Sequence, residues 1–192
     1  MSLERVSRNC LHGQEPSDEL KRLWNANRTE PWYDFVSFTL VDKLDDQFLR
    51  ACKDNGQVPQ SVPRSFQRTF DHIAFVGCLE DGELVGYWLG PENRSIADAP
   101  IVQLDTEGTF DLRGHNLAEY LLSRVFSDED YDELRSVLGT LGLHVAAETR
   151  RDLLKSFNGL DAQFGDPAQL YSQYSDEEEE KEKNEKKKKK KS

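Results

Sequence analysis

Carboxylates are the chemistry-bearing groups this chain has in quantity. Asp and Glu number 36 against 25 Lys and Arg, for a net charge of −11. Five of them, Asp81, Glu83, Asp98, Asp105 and Glu107, fall on or beside the turns of one β-rich stretch. Two carboxyls can share general acid–base work only when held at a fixed separation with divergent pKa values. Spacing along a chain does not supply that. The plain reading is solvated loop carboxylates that keep the protein soluble. The alternatives are a surface for a basic partner and, more remotely, a small hydrolase using loop carboxylates.

The other reactive residue types are sparse. His12, His72, His115 and His144 stand in no HExxH or paired-His spacing, so no local zinc motif is present. Cys10 and His12 are close in sequence, but two residues do not make a tetrahedral site, and this N-terminal stretch is expected to be mobile. Cys78 lies in the apolar run Ile73–Leu79 and Cys52 on an apolar helical face; both read as buried structural thiols. No GxSxG elbow, Walker A or GxGxxG occurs, so no serine nucleophile or nucleotide loop is indicated. No catalytic residue, metal site or cofactor is assigned.

Charge is distributed unevenly. Residues 175–192 (SDEEEEKEKNEKKKKKKS) hold eight Lys, seven acids and no apolar residue. Taking these from the totals leaves 17 basic against 29 acidic residues in 1–174, a body at −12. Such a body disfavours nucleic acid, whose phosphates need clustered Lys and Arg, and attracts basic partners. No apolar run approaches the length of a membrane span, and the N-terminus has no apolar signal region. Three widely spaced Cys make no disulfide framework and read as reduced thiols of a cytoplasmic protein. The tail is expected to be disordered, since it has nothing apolar to bury; were it helical, Glu–Lys pairs would hold a solvated helix. Lys186 to Lys191 could act as an import-like or anionic-surface tag, although a solubilising tail is the plainer reading.

The elements follow from pattern. Ser17 caps SDELKRLWNAN, with Leu20, Leu23 and Trp24 at helical spacing. Phe35 to Val41 alternates as a strand. DKLDDQFLRACKDNG reads as a helix with Leu44, Phe48, Leu49 and Cys52 on one face, and RSFQRTF as one or two helical turns. HIAFVGCL and ELVGYWL flank Glu80-Asp81-Gly82, a hairpin signal. IVQLD and TFDLR flank Thr106-Glu107-Gly108 in the same way. Asn116 with Glu119 opens a helix carrying Leu117, Tyr120, Leu121 and Val125. Further helices are expected from Ser127 or Asp128 to Leu138 and from Ala146 to Phe157. Strands bracketed by helices indicate α+β. The expected fold is an antiparallel β-meander of about four to six strands flanked by helices, one domain over 1–174 with 58–126 best supported. Trp88 should face the core. Tyr87 points to the opposite face of the sheet and is expected to be exposed.

The stretch from Ile73 to Val125 resembles the SUKH superfamily, the Smi/Knr-like domain. Phe75 to Gly77 match a first strand ending in Gly, Asp81-Gly82 an acidic-glycine turn, and Tyr87-Trp88-Leu89 an aromatic second strand. Pro100-Ile101-Val102 match a Pro-Val-Val-like step and Glu107-Gly108 the next turn. Asn116 to Leu121 match the helix start, with Tyr120 in place of Phe; Val58-Pro59 or Val62-Pro63 stands at an upstream Leu-Pro. The chain departs in having only Asn55-Gly56 for an Asn-Gly-Gly element, and its first 40 residues and lysine tail have no counterpart in that pattern. The resemblance implies a binding module without chemistry of its own. Bacterial members resemble immunity proteins that neutralise toxins, often nucleases; eukaryotic members resemble regulatory scaffolds. The expected partner is therefore a protein, a basic toxin domain, captured by Glu80, Asp81, Glu83, Asp105 and Glu107 with Tyr87 as aromatic anchor; neither nucleic acid nor membrane is an expected partner.

Overall fold

The computed structural model describes residues 2–26, 35–43 and 59–189. The helix expected over DKLDDQFLRACKDNG, with Cys52, falls almost wholly outside these residues, as does Trp32.

Five strands form one antiparallel sheet in chain order: β1 (Phe38–Leu40), β2 (Ile73–Leu79), β3 (Leu84–Trp88), β4 (Ile101–Leu104) and β5 (Phe110–Gly114). The meander and both hairpins are as expected from the turn residues. Register places Cys78 opposite Leu84, Leu84 opposite Leu104 and Leu104 opposite Phe110. Both hairpin turns therefore emerge at the same end of the sheet.

Helices cover both faces. On one lie α1 (Leu3–Asn9), α2 (Asp18–Ala26), α4 (Leu117–Ser123), α5 (Asp128–Thr140) and α6 (Arg150–Ser156); on the other lie α3 (Ser61–Phe70), α7 (Leu160–Phe164) and α8 (Pro167–Lys189). Strand alternation feeds both layers. Ala74, Val76, Val85 and Tyr87 join Leu20, Leu23, Tyr120 and Leu134 in the first core, while Ile73, Phe75, Trp88 and Val102 join Phe66, Phe70 and Phe110 in the second. Two-sided burial makes β2 and β4 nearly continuous apolar runs. It also corrects the expectation for Tyr87. The residue does face away from Trp88, but α2 and α4 lie over that face and leave it 2% exposed.

Caps account for the helix starts. Ser17 Oγ accepts the Leu20 N–H at 3.1 Å, Asn116 Oδ1 the Glu119 N–H at 2.9 Å, and Ser127 Oγ the Asp130 N–H at 3.0 Å. The helix expected from Ala146 starts later, at Arg150, because Thr149 supplies the cap to Asp152. The N-terminus, expected to be mobile, instead forms α1, which buries Val6 and leads into buried Leu11.

The stretch expected to be a disordered tail is helical from its first residue, Ser175, through Lys189, as the continuation of α8. Composition alone missed the cause, which lies on α3. Arg68 Nη2 meets Glu177 at 2.8 Å and its Nη1 meets Glu178 at 3.2 Å, while Lys181 Nζ reaches Glu178 at 2.6 Å. The Glu178 side chain is only 7% exposed. Glu–Lys pairs at 179–183 and 182–186 extend the helix beyond the body.

The Lys181 hydrogen bond, with the charges of Lys181 and Arg68, holds the Glu178 carboxyl below the ordinary carboxylate range despite its burial. A depressed folded-state pKa contributes stability above the unfolded value that is lost as pH falls through the folded one. Docking of α8 should therefore hold at neutral pH and weaken below about pH 4. Hydrogen exchange along residues 170–182, followed from pH 7 to pH 3, checks this; protection that persists unchanged in acid contradicts it.

Candidate functional site

The shared end of the two hairpins gathers the acidic residues singled out in the sequence. Glu80 and Asp81 lie in the β2–β3 turn with Glu83 at its exit; Asp105 and Glu107 lie in the β4–β5 turn. Each turn uses an aspartate to fold itself. Asp81 Oδ1 accepts the Glu83 N–H at 3.2 Å. Asp105 Oδ1 accepts the N–H groups of Glu107 at 2.9 Å and Thr109 at 2.8 Å.

Glu83 has a different job from its neighbours. Its Oε2 accepts Gln103 Nε2 at 2.8 Å and lies 3.6 Å from Arg124 Nη2. Gln103 Oε1 in turn accepts the buried Tyr120 hydroxyl at 3.3 Å. Burial raises the Glu83 carboxyl pKa, the charges of Asp81 and Asp105 raise it further, and Arg124 opposes them. Glu83 thus ties the turn to α4 and fixes Arg124, while Glu80, Asp81 and Glu107 face solvent.

Beside the β2–β3 turn is a cleft of about 320 Å³ lined by Phe35, Val36, Ser37, Leu79, Glu80, Asp81, Arg124 and Phe126. The Glu80 N–H donates to Ser37 O at 3.2 Å, which fixes the turn against the entry to β1. Phe126 is 89% exposed, far more than Leu154, the other large apolar residue exposed among those described. Tyr87 takes no part in this surface. It is buried at the other end of β3, with its hydroxyl 3.2 Å from Ser17 Oγ and its pKa raised by burial. The exposed aromatic at the acidic end is therefore Phe126. Its position is readable in RVFSDED as the residue just before the N-cap Ser127. An apolar residue there ordinarily staples onto the following helix, so sequence alone assigns it to packing.

A larger cleft, about 670 Å³, lies near Tyr87 and is lined by Ser17, Glu19, Ile96, His115, Leu143 and His144 among others. Two of its ionisable groups, Glu19 and His115, are committed to the fold. Glu19 accepts the N–H groups of Leu117 at 3.0 Å and Ala118 at 2.7 Å, closing the start of α4. Burial raises its pKa against the pull of those two bonds. His115 Nδ1 sits 2.8 Å from Glu119. Cys10 and His12 do not converge on a common site: Cys10 Sγ lies 3.9 Å from Val41 O, and His12 Nε2 donates to Ile73 O at 2.9 Å. Cys78 is half-buried, and burial raises its thiol pKa. Among the described residues no three His, Cys, Asp or Glu side chains are placed to hold a metal, and no helix is long and apolar enough to cross a membrane.

Comparison with family models, with curated proteins and with solved structures gives no match.

Proposed function

We propose that this protein is a non-enzymatic binding module that captures a basic protein with the acidic end of its sheet. The observation that carries the reading is Phe126, 89% exposed beside Glu80 and Asp81 on the rim of a cleft of mixed apolar and charged lining. Aromatic residues are enriched at the centres of protein interfaces, inside a polar rim. The body at −12 supplies a long-range field that draws in a basic protein. The resemblance of residues 73–125 to SUKH domains supports an immunity role. In that role the module occupies a cytoplasmic toxin domain, a nuclease or similar basic enzyme, one to one.

The test is capture from cells of the native source by the immobilised full chain, beside its E80K/D81K and F126A variants. A basic protein held by the native chain, released by salt and lost from both variants supports the reading. Equal recovery by all three removes this site; recovery of no basic protein removes the function. With a purified partner, E80K/D81K should slow association about tenfold and flatten its salt dependence, because rim charges act mainly on encounter. Stopped-flow association at two ionic strengths measures both, and an unchanged on-rate contradicts electrostatic capture.

A further inference from the structure

Helix α8 is joined to the body by a very short link. Between Phe164, the last residue of α7, and Pro167, the first of α8, stand only Gly165 and Asp166. Gly165 has φ 82° and ψ 139°, a conformation essentially restricted to glycine. Asp166 already belongs to α8 as its cap: its Oδ1 accepts the N–H of Ala168 at 2.8 Å and of Gln169 at 3.2 Å. The helix therefore carries its own start with it, and a single glycine sets its direction.

What α8 sits on is a complete docking surface. Tyr171, Tyr174 and Glu178 share one helical face at spacings of three and four. The Tyr171 ring packs 4.5 Å from that of Phe66 and 5.7 Å from that of Phe110. Tyr174 stacks on His72 with its hydroxyl 2.8 Å from Nε2, and the Arg68 guanidinium lies 3.8 Å over the Tyr174 ring. Arg64 and Arg68 then meet Glu177 and Glu178. Every polar partner on this list comes from α3 or the turn after it, so any copy of the chain offers the same surface. The Arg68–Glu177 pair is partly open to water, and Arg64, itself half-exposed, reaches Glu178 only at 3.9 Å, a setting in which such pairs hold weakly.

We propose that α8 exchanges between two copies of this chain. Gly165 opens, and each α8 seats on α3 of the other copy, preserving all of these contacts in a swapped dimer. The inference is independent of the acidic sheet end and survives the loss of that function.

Charge complementation tests it with full-length chains. In R68E the two helices repel within one chain, and in E177K/E178K they do so with the signs reversed. Each variant alone should run as a monomer with residues 170–182 unprotected against hydrogen exchange. Mixed one to one, they can satisfy both surfaces only by swapping. Light scattering should then report a dimer and exchange should report restored protection. A mixture that stays monomeric overturns the proposal, as does a dimer whose α8 remains unprotected. The second variant, G165A, leaves the interface untouched and strains only the closed link. It should raise the dimer fraction at a given concentration about tenfold; a monomeric G165A likewise overturns the exchange.

Discussion

On the proposed function, Phe126→Ala should lower affinity for the basic partner by about 30-fold, roughly 2 kcal/mol, which is the scale of a buried aromatic anchor. The same change should leave the unfolding free energy within about 0.5 kcal/mol of the native value, since truncating a largely solvated ring removes almost no folded-state contact. The combination is what identifies an anchor. A residue that touches little in the free protein, 89% exposed as this one is, can lose much affinity only through contacts made in the complex. Calorimetric titration gives the first number and urea unfolding the second. Unchanged affinity would mean that the partner approaches elsewhere. A large loss of stability would mean that Phe126 packs in a way its exposure contradicts.

Gly86→Ala has the opposite profile. Gly86 lies in β3 opposite Phe75, where a Cβ would stand 2.7 Å from the Ala74 carbonyl oxygen, 2.8 Å from Ile73 Cγ2 and 2.8 Å from Phe75 Cα. Two of those three atoms are backbone of the paired strand, so a rotamer change cannot relieve the contact. The strands must part locally, and the cost is that of overpacking a dense core, about 3 kcal/mol. Urea unfolding with an unchanged slope should show it as a lower midpoint. A loss below about 1 kcal/mol would mean that β2 and β3 yield more easily than their register implies. Affinity for the partner, measured where the variant remains folded, should change much less than in F126A, because Gly86 is buried in the middle of β3 and is not part of the turn.

The difference between these two residues also explains what was legible in the sequence. Hairpins were legible because Glu80-Asp81-Gly82 and Thr106-Glu107-Gly108 interrupt apolar runs with turn residues, and a turn is a local event. The start at Asn116 was legible for the same reason, since the cap and the N–H that donates to it lie three residues apart. Convergence of Glu80, Asp81, Asp105 and Glu107 at one end then follows from a meander with two tight turns.

What was not legible is what one element does to another. Alternation places Tyr87 and Trp88 on opposite faces but is silent on whether both faces are covered. Residues 175–189 look unable to fold by composition; their helix is anchored through Arg64, Arg68 and His72, more than a hundred positions earlier in the chain. Phe126 reads as a staple for the next helix, and only its exposure identifies it as available for recognition. Glu83 reads as one acid among several, yet its bonds to Gln103 and Arg124 make it a support for the surface.

A sheet with helices on both faces leaves its strand ends as the place where the chain can vary freely. Glu80, Asp81, Thr106, Glu107 and Thr109 of the two turns are exposed. New side chains can be tried at exposed positions such as Glu80 and Glu107 without disturbing Tyr87, Trp88 or the layers around them, whereas Asp81, Glu83 and Asp105 hold the turns in shape. On the proposed function, partner choice would rest mainly on these exposed positions and foldability on the layers. A lineage built on this framework could follow a changing adversary by altering a few turn positions, with its stability left almost untouched.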